Sequence, residues 1–191
     1  MPIDYATIAL ENKPLVPGID RFGRNLLADR YSDPTHFIYE LLQNAEDALA
    51  ERQALPEHST LPRSAEFRLF DDRLELRHFG IPFAEHHVRA ICDIARSSKL
   101  KDTGAIGHFG IGFKSVYAFT RSPEVHSGQE SFVIESLVCP KAIAQKPVKN
   151  GQTLFVLPFD CTDKPPDDCH RIIAARFREL GLRTLLFFAL P

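Results

Sequence analysis

Three side chains on one stretch have the types and spacing to act on a bound ligand. Within residues 37–48, Glu40, Asn44 and Asp47 stand at i, i+4 and i+7. On a helix that spacing places them on one face, about a turn apart. Leu41, Leu42, Ala45, Ala48 and Leu49 fill the adjoining faces, so the polar stripe borders a core-facing surface. A carboxylate pushed toward a core is costly unless it is paired or bound to a metal. Glutamate suits a general base that orients water. Asparagine offers a neutral oxygen to Mg²⁺, which takes few protein ligands and keeps its waters. The same stripe also fits a solvated helix face, and alone it does not separate the two.

A second constellation is rich in glycine. Gly104, Gly107, Gly110 and Gly112 supply four of the ten glycines within nine residues, and Phe113, Lys114 and Ser115 follow. Glycine lets backbone approach a ligand closely, and successive free N–H groups at a helix start attract anions. The segment therefore suggests a phosphate cradle, beside the plainer reading of a tight turn packing a helix on a sheet. It is not a P-loop: Gly107 and Gly112 have that spacing, but Phe113 stands where the lysine belongs, and a polar loop precedes them instead of a strand. The dinucleotide fingerprint fails as well.

The elements that must position these residues follow from periodicity and turn chemistry. A short helix is expected over 18–29. A clearer one, capped by Ser32 or Asp33 with Pro34 in its first turn, runs from Thr35 to about Gln53. Residues 65–70 and 73–79 alternate around Asp71-Asp72 and read as a hairpin. A helix over 84–95, a loop over 96–108 and a glycine-entered helix over 109–119 come next. Strands are expected at 122–126, 131–138 and 153–159. Pro165-Pro166 and Asp167-Asp168 open a last helix to about Leu180. Strands and helices in unequal groups predict an α+β two-layer sandwich, a mostly antiparallel mixed sheet covered by helices.

Composition bounds the function. The 191 residues suit one domain, 1–191, with 44% hydrophobic and 25% charged residues, as in ordinary globular proteins. The net charge of −2 excludes a globally basic nucleic-acid binder, so direct nucleic-acid binding is not indicated. No apolar run approaches the ~18 residues that span a bilayer, and the start lacks a secretory pattern. Cys92, Cys139, Cys161 and Cys169 show no metal spacing and read as reduced thiols of a cytoplasmic protein. The apolar run 185–190, ending at Pro191, leads to the expectation that the chain is the N-terminal part of a longer protein.

Together the two constellations resemble the GHKL superfamily, which includes DNA gyrase B subunits, ninety-kilodalton heat-shock chaperones, sensor histidine kinases and mismatch-repair MutL. The carrying residues are Glu40-x-x-x-Asn44-x-x-Asp47-Ala48, a hairpin ending in Gly80, and Gly107-x-x-Gly110-x-Gly112-Phe113. The stretches 38–48 and 106–117 are most similar to the heat-shock chaperones and to sacsin-type ATPase domains. Ile94-Ala95-Arg96-Ser97-Ser98 falls where the chaperones carry a basic-serine segment, and Gly151-Gln152-Thr153 resembles the late threonine motif.

The resemblance implies the Bergerat ATP-binding fold, ATP or ADP as ligand, and Mg²⁺. It makes Glu40 the general base and Asn44 the Mg²⁺ ligand. Asp47 would line the pocket near the adenosine and Thr153 would sit by the adenine, with His78 and Gly80 also among the nucleotide-binding residues. Gly107, Gly110, Ile111, Gly112 and Phe113 would offer backbone N–H groups to the phosphates. Arg96, Ser97 and Lys114 would add polar and positive groups there.

One departure matters. The family's second motif is Asp-x-Gly-x-Gly, whose aspartate accepts the adenine amino proton. Here His78 takes that place and Pro82 replaces the second glycine. A neutral imidazole nitrogen can accept that proton and a protonated one cannot, so adenine affinity is expected to fall below about pH 6. His86 and His87 are expected to be solvated. The stretch from Arg96 to Gly107 is short for a lid, and family members borrow a basic residue for hydrolysis from a following domain that these 191 residues do not reach, so binding is expected to exceed turnover in this piece.

The expected function is Mg-dependent ATP binding with slow hydrolysis. It would drive conformational switching in a larger chaperone- or sacsin-like protein through its C-terminal domains and ATP-dependent N-terminal dimerisation. The alternative is a nucleotide-binding or scaffold module without significant hydrolysis. A histidine kinase, lacking room for a phosphoacceptor helix pair, and a topoisomerase or mismatch-repair subunit fit less well.

Overall fold

The structure, a computed structural model, describes residues 3–19, 33–55, 61–93 and 112–180. Six strands form one sheet: β1 (Ala65–Leu69), β2 (Arg73–His78), β3 (Glu124–Ser127), β4 (Glu130–Glu135), β5 (Cys139–Ala142) and β6 (Thr153–Pro158). Their order is β1-β2-β6-β3-β4-β5, and every pairing among them is antiparallel. The last strand therefore lies in the middle, between β2 and β3.

Alternation decides what each face of the sheet buries. Leu74, Leu76, Val125, Phe132, Ile134, Phe155 and Leu157 are buried in one core. Four helices contribute to that core: α1 (Tyr5–Asn12), α2 (Phe37–Gln53), α3 (Glu85–Cys92) and α4 (Pro166–Glu179). The result is the expected two-layer α+β sandwich. By the same period of two, His78, Ser127 and Thr153 lie on this helix-facing side. They are register neighbours across β2, β6 and β3.

Several local expectations shift. Asp33 caps the turn Pro34–His36 ahead of α2, its carboxylate accepting from Thr35 N at 2.8 Å. The 113–118 segment is a 3-10 helix instead of an α-helix. Its reason is burial at a spacing of three: Phe113, Val116 and Phe119 are all in the core, and a three-residue turn lines them up on one edge. The strand expected to 138 ends at Glu135. Ser136 and Leu137 then turn with φ of 49° and 68° into β5, which the sequence reading missed. β5 is an edge strand containing Pro140, tolerated there because the free N–H side needs no partner. Helix α1, also missed, lies along β5, where Asn12 Nδ2 donates to Val138 O at 2.8 Å. Of the helix expected over 18–29, only residues 18 and 19 are described, and they are helical. The 96–108 loop and the run 185–190 lie outside the described residues.

Helix α2 meets the sheet through a backbone contact. A Cβ on Gly80 would fall 2.6 Å from the Ala48 Cβ and 2.9 Å from its carbonyl carbon, and Ile81 N donates to Ala48 O at 2.9 Å. Gly80→Ala is expected to lower the unfolding free energy by about 2–3 kcal/mol through overpacking against backbone. Adding Ala48→Gly should recover part of it. Urea titration of the single and double variants checks this, and an unchanged midpoint for Gly80→Ala would contradict the contact.

Candidate functional site

Gly112, the described end of the glycine constellation, meets Glu40 in the N-terminal half of α2. Glu40 Oε1 lies 3.1 Å from Nε2 of His36, one turn earlier. A Cβ on Gly112 would stand 2.0 Å from Oε2 of the same carboxylate. Glu40 therefore rests on the bare Cα of Gly112, and its two oxygens face different neighbours. Gly112 has φ −61° and ψ −45°, a backbone any residue adopts, so contact and not conformation requires glycine here. Gly107, Gly110 and Ile111 lie outside the described residues, as do Arg96 and Ser97.

About 12 Å further along α2, eight residues at 1.5 Å each, Ala48 meets Gly80. Around this second point a small cleft, open to solvent, runs beside the helix. Asn44, Ala48 and Glu51 line it from α2, and His78, Phe83, His87 and Phe155 line it from the other side. Asn44 is half-buried, and its side-chain amide has no hydrogen-bond partner among the described residues. Asp47 is not among the lining residues. It accepts from Gln43 Nε2 at 3.1 Å, and desolvation is the main cause that raises its pKa. Helical geometry explains the difference. Asp47 sits about 60° round the axis from Asn44, whereas Ala48 and Glu51 sit within about 40° of it.

Glu51, Phe83 and His87 were not anticipated as site residues. Glu51 was legible as the i+7 partner of Asn44. His87 was not, because the reading placed both neighbouring histidines in solvent. His86 is exposed, but His87 turns in, tilts against Phe83 with centroids 5.7 Å apart, and accepts from Ala84 N through Nδ1 at 2.9 Å. Desolvation lowers its pKa.

At the sheet end of the cleft His78 is 3% exposed. Its Nδ1 accepts the Gly80 N–H at 3.0 Å, and its ring stacks on Phe155 with centroids 6.0 Å apart. Thr153 is its register partner on β6. The Thr153 hydroxyl is buried and lies 2.6 Å from the Ser127 hydroxyl. Arg52, one helical turn beyond Ala48, donates to the carbonyls of Phe79, Gly80 and Gly151 at 2.6, 3.1 and 3.1 Å. That fork ties the end of α2 to the turn after β2 and to the entry of β6.

Two expectations are corrected by placement. Lys114 does not reach the cleft. It is 3% exposed, and its ammonium donates to Ile91 O at the end of α3 and to Leu137 O in the left-handed β4–β5 turn. It is a strut between those elements, with burial pushing its pKa down to about 8. Phe113 contributes its ring to the core. The second correction concerns pH. Burial, helped by the Arg52 charge, lowers His78 to about 4, so its charge changes near pH 4 and not near pH 6. Its neutral form is also the form that accepts from Gly80.

This shift has a stability consequence. The folded pKa of about 4 lies below the unfolded value of 6.5, so the unfolded chain binds the proton first as pH falls. The contribution is fully present above about pH 6.5 and is lost through pH 4, amounting to about 3 kcal/mol. His78→Asn should remove this component. Chemical denaturation at pH 7, 5.5 and 4 should therefore show the variant losing less stability on acidification than the parent. Parallel slopes would refute it.

Comparison with known proteins agrees with part of this picture. The Sacsin domain family model matches residues 19–157. The chain is 33% identical to Protein NO VEIN of Arabidopsis thaliana over 151 residues, which is 78% of this chain and 5% of that protein. It is 31% identical to Sacsin of Homo sapiens over 118 residues, 56% of this chain and 2% of that protein. The chain thus spans a small fraction of the length of these relatives. No described helix is long and apolar enough to cross a membrane, and all four cysteines are free thiols. On the family match over residues 19–157, the chain belongs to the Sacsin domain family.

Proposed function

We propose that this Sacsin-family domain has the Bergerat type of ATP site, binding Mg–ATP in the cleft beside α2 and hydrolysing it slowly. The observation that carries the reading is the seating of the Glu40 carboxylate on Gly112, the last glycine of the glycine motif. A carboxylate held there can take the proton of a water attacking a phosphoryl group. His36 beside Oε1 keeps it from rotating away.

The residues present fit the groups the reading requires. Asn44 has an amide without a described partner on the cleft wall, and its oxygen suits Mg²⁺ through one protein contact and several waters. Mg²⁺ would neutralise phosphate charge when bound. Phe83 and Phe155 give the cleft its apolar wall, as purine sites require. With Lys114 used as a strut, positive charge toward the phosphates would come from other residues, Arg96 among them, or from another domain. That supports weak turnover in this domain alone.

In the whole protein, closure on ATP would reposition the following domains or bring two such domains together. We propose that it does so as a cytoplasmic, chaperone- or sacsin-like switch.

Glu40→Gln tests the chemistry, because it keeps the shape and removes the base. Calorimetric titration with Mg-ADP and Mg-ATP should give similar affinities for parent and variant. Steady-state turnover should drop about a hundredfold or more in the variant. Equal turnover would remove Glu40 from the reaction. Binding without turnover in the parent would leave a nucleotide-binding module.

A further inference from the structure

The hydrogen bond inside the turn after β2 fixes which nitrogen of His78 carries its proton. A backbone N–H can only donate, so the nitrogen facing it must offer its lone pair. Gly80 N lies 3.0 Å from Nδ1. A neutral imidazole has one N–H, which is therefore on Nε2. The ring is stacked on Phe155 and enclosed at 3% exposure, which holds its plane. It lines the cleft, and Nε2 has no hydrogen-bond partner among the described residues.

An aspartate at this position could satisfy Gly80 with one oxygen and leave the other as an acceptor. His78 satisfies Gly80 equally well, but its remaining edge is a donor. Its neighbours on the sheet do not impose the opposite polarity. The Thr153 and Ser127 hydroxyls, 2.6 Å apart, can each donate or accept.

We propose that His78 determines base specificity in the cleft by presenting Nε2–H, so that a 6-oxopurine nucleotide is held in preference to a 6-aminopurine one. A 6-oxo group places a lone pair against this donor. A 6-amino group places N–H against N–H, leaving two donors without acceptors. Adenine can answer only by turning a ring nitrogen toward the site. The proposal rests on the nucleotide reading above and changes the base that fits best.

Inosine and adenosine diphosphates are the probes, because they share ribose and phosphates and differ at the six-position edge. Calorimetric titration of the Mg²⁺ complexes at pH 7.5 should show the inosine form binding about tenfold or more tightly than the adenosine form. His78→Asn retains the pattern, with Oδ1 accepting from Gly80 and Nδ2 still donating, and should keep that order. His78→Asp supplies an acceptor and should reverse it. Long-range ¹⁵N–¹H NMR of the unliganded protein should place the His78 proton on Nε2.

A protein that prefers the adenosine form, or a proton found on Nδ1, overturns the proposal. The parent's own preference and the position of its His78 proton decide the matter even if His78→Asp does not fold. If neither nucleotide binds while the NMR result holds, the nucleotide reading itself fails and the specificity proposal falls with it.

Discussion

The site depends on how closely α2 lies against two bare Cα atoms. At Gly80 the helix comes so near that a methyl group would overlap Ala48. At Gly112 a methyl group would occupy the place of the Glu40 carboxylate. These contacts lie about 12 Å apart along one helix. The first fixes its height above the sheet beside the cleft, and the second seats the Glu40 carboxylate. An ordinary side chain at Gly80 would lift α2, and Asn44 and Ala48 would move with it, whereas one at Gly112 would push the Glu40 carboxylate aside. Small residues serve here as a spacing device, and the cleft is what remains beside them.

Polar groups around this seam are assigned to different tasks. Arg52 locks the far end through three carbonyls. Lys114 is drawn away to the junction of α3 with the β4–β5 turn, where Ser136 and Leu137 hold left-handed backbone. Such a turn persists when its surroundings hold it, and Lys114 provides part of that hold. His78 is caught between two roles, since the nitrogen that supports the turn cannot also serve the cleft. Support of the fold thereby sets the polarity of the binding surface.

Much of the architecture was legible because it follows from short-range rules. Asp33, Pro34 and the apolar period announced α2. The alternation of 73–78 and the Asp71-Asp72 turn announced the first hairpin, and the Val-, Ile- and Phe-rich stretch announced β6. The misses share a cause. Helix α1 buries mainly Tyr5 and Ile8, too little to print a period, and β5 is a short edge strand whose only buried residue is Pro140. The segment after Gly112 has a clear apolar spacing, but whether it coils with three or 3.6 residues per turn is set by the core that receives it.

The sequence by itself determined the residue types of the candidate site and their order. Glu40 and Asn44 on one helical stripe, glycine at 80 and 112, and histidine at 78 are properties of the chain. Tertiary structure decided which of these residues face the cleft. Asp47 gave way to Glu51 because a few tens of degrees of helix rotation are fixed by packing. His87 turned inward because Phe83 offered it a surface. Lys114 left the site because two buried carbonyls needed a donor, and His78 committed its lone pair to Gly80. Spacing along a chain specifies a face, but a side chain's partner, as for Lys114, can lie tens of residues away, and even the short-range bond from Gly80 to His78 forms only when the fold sets the turn between them.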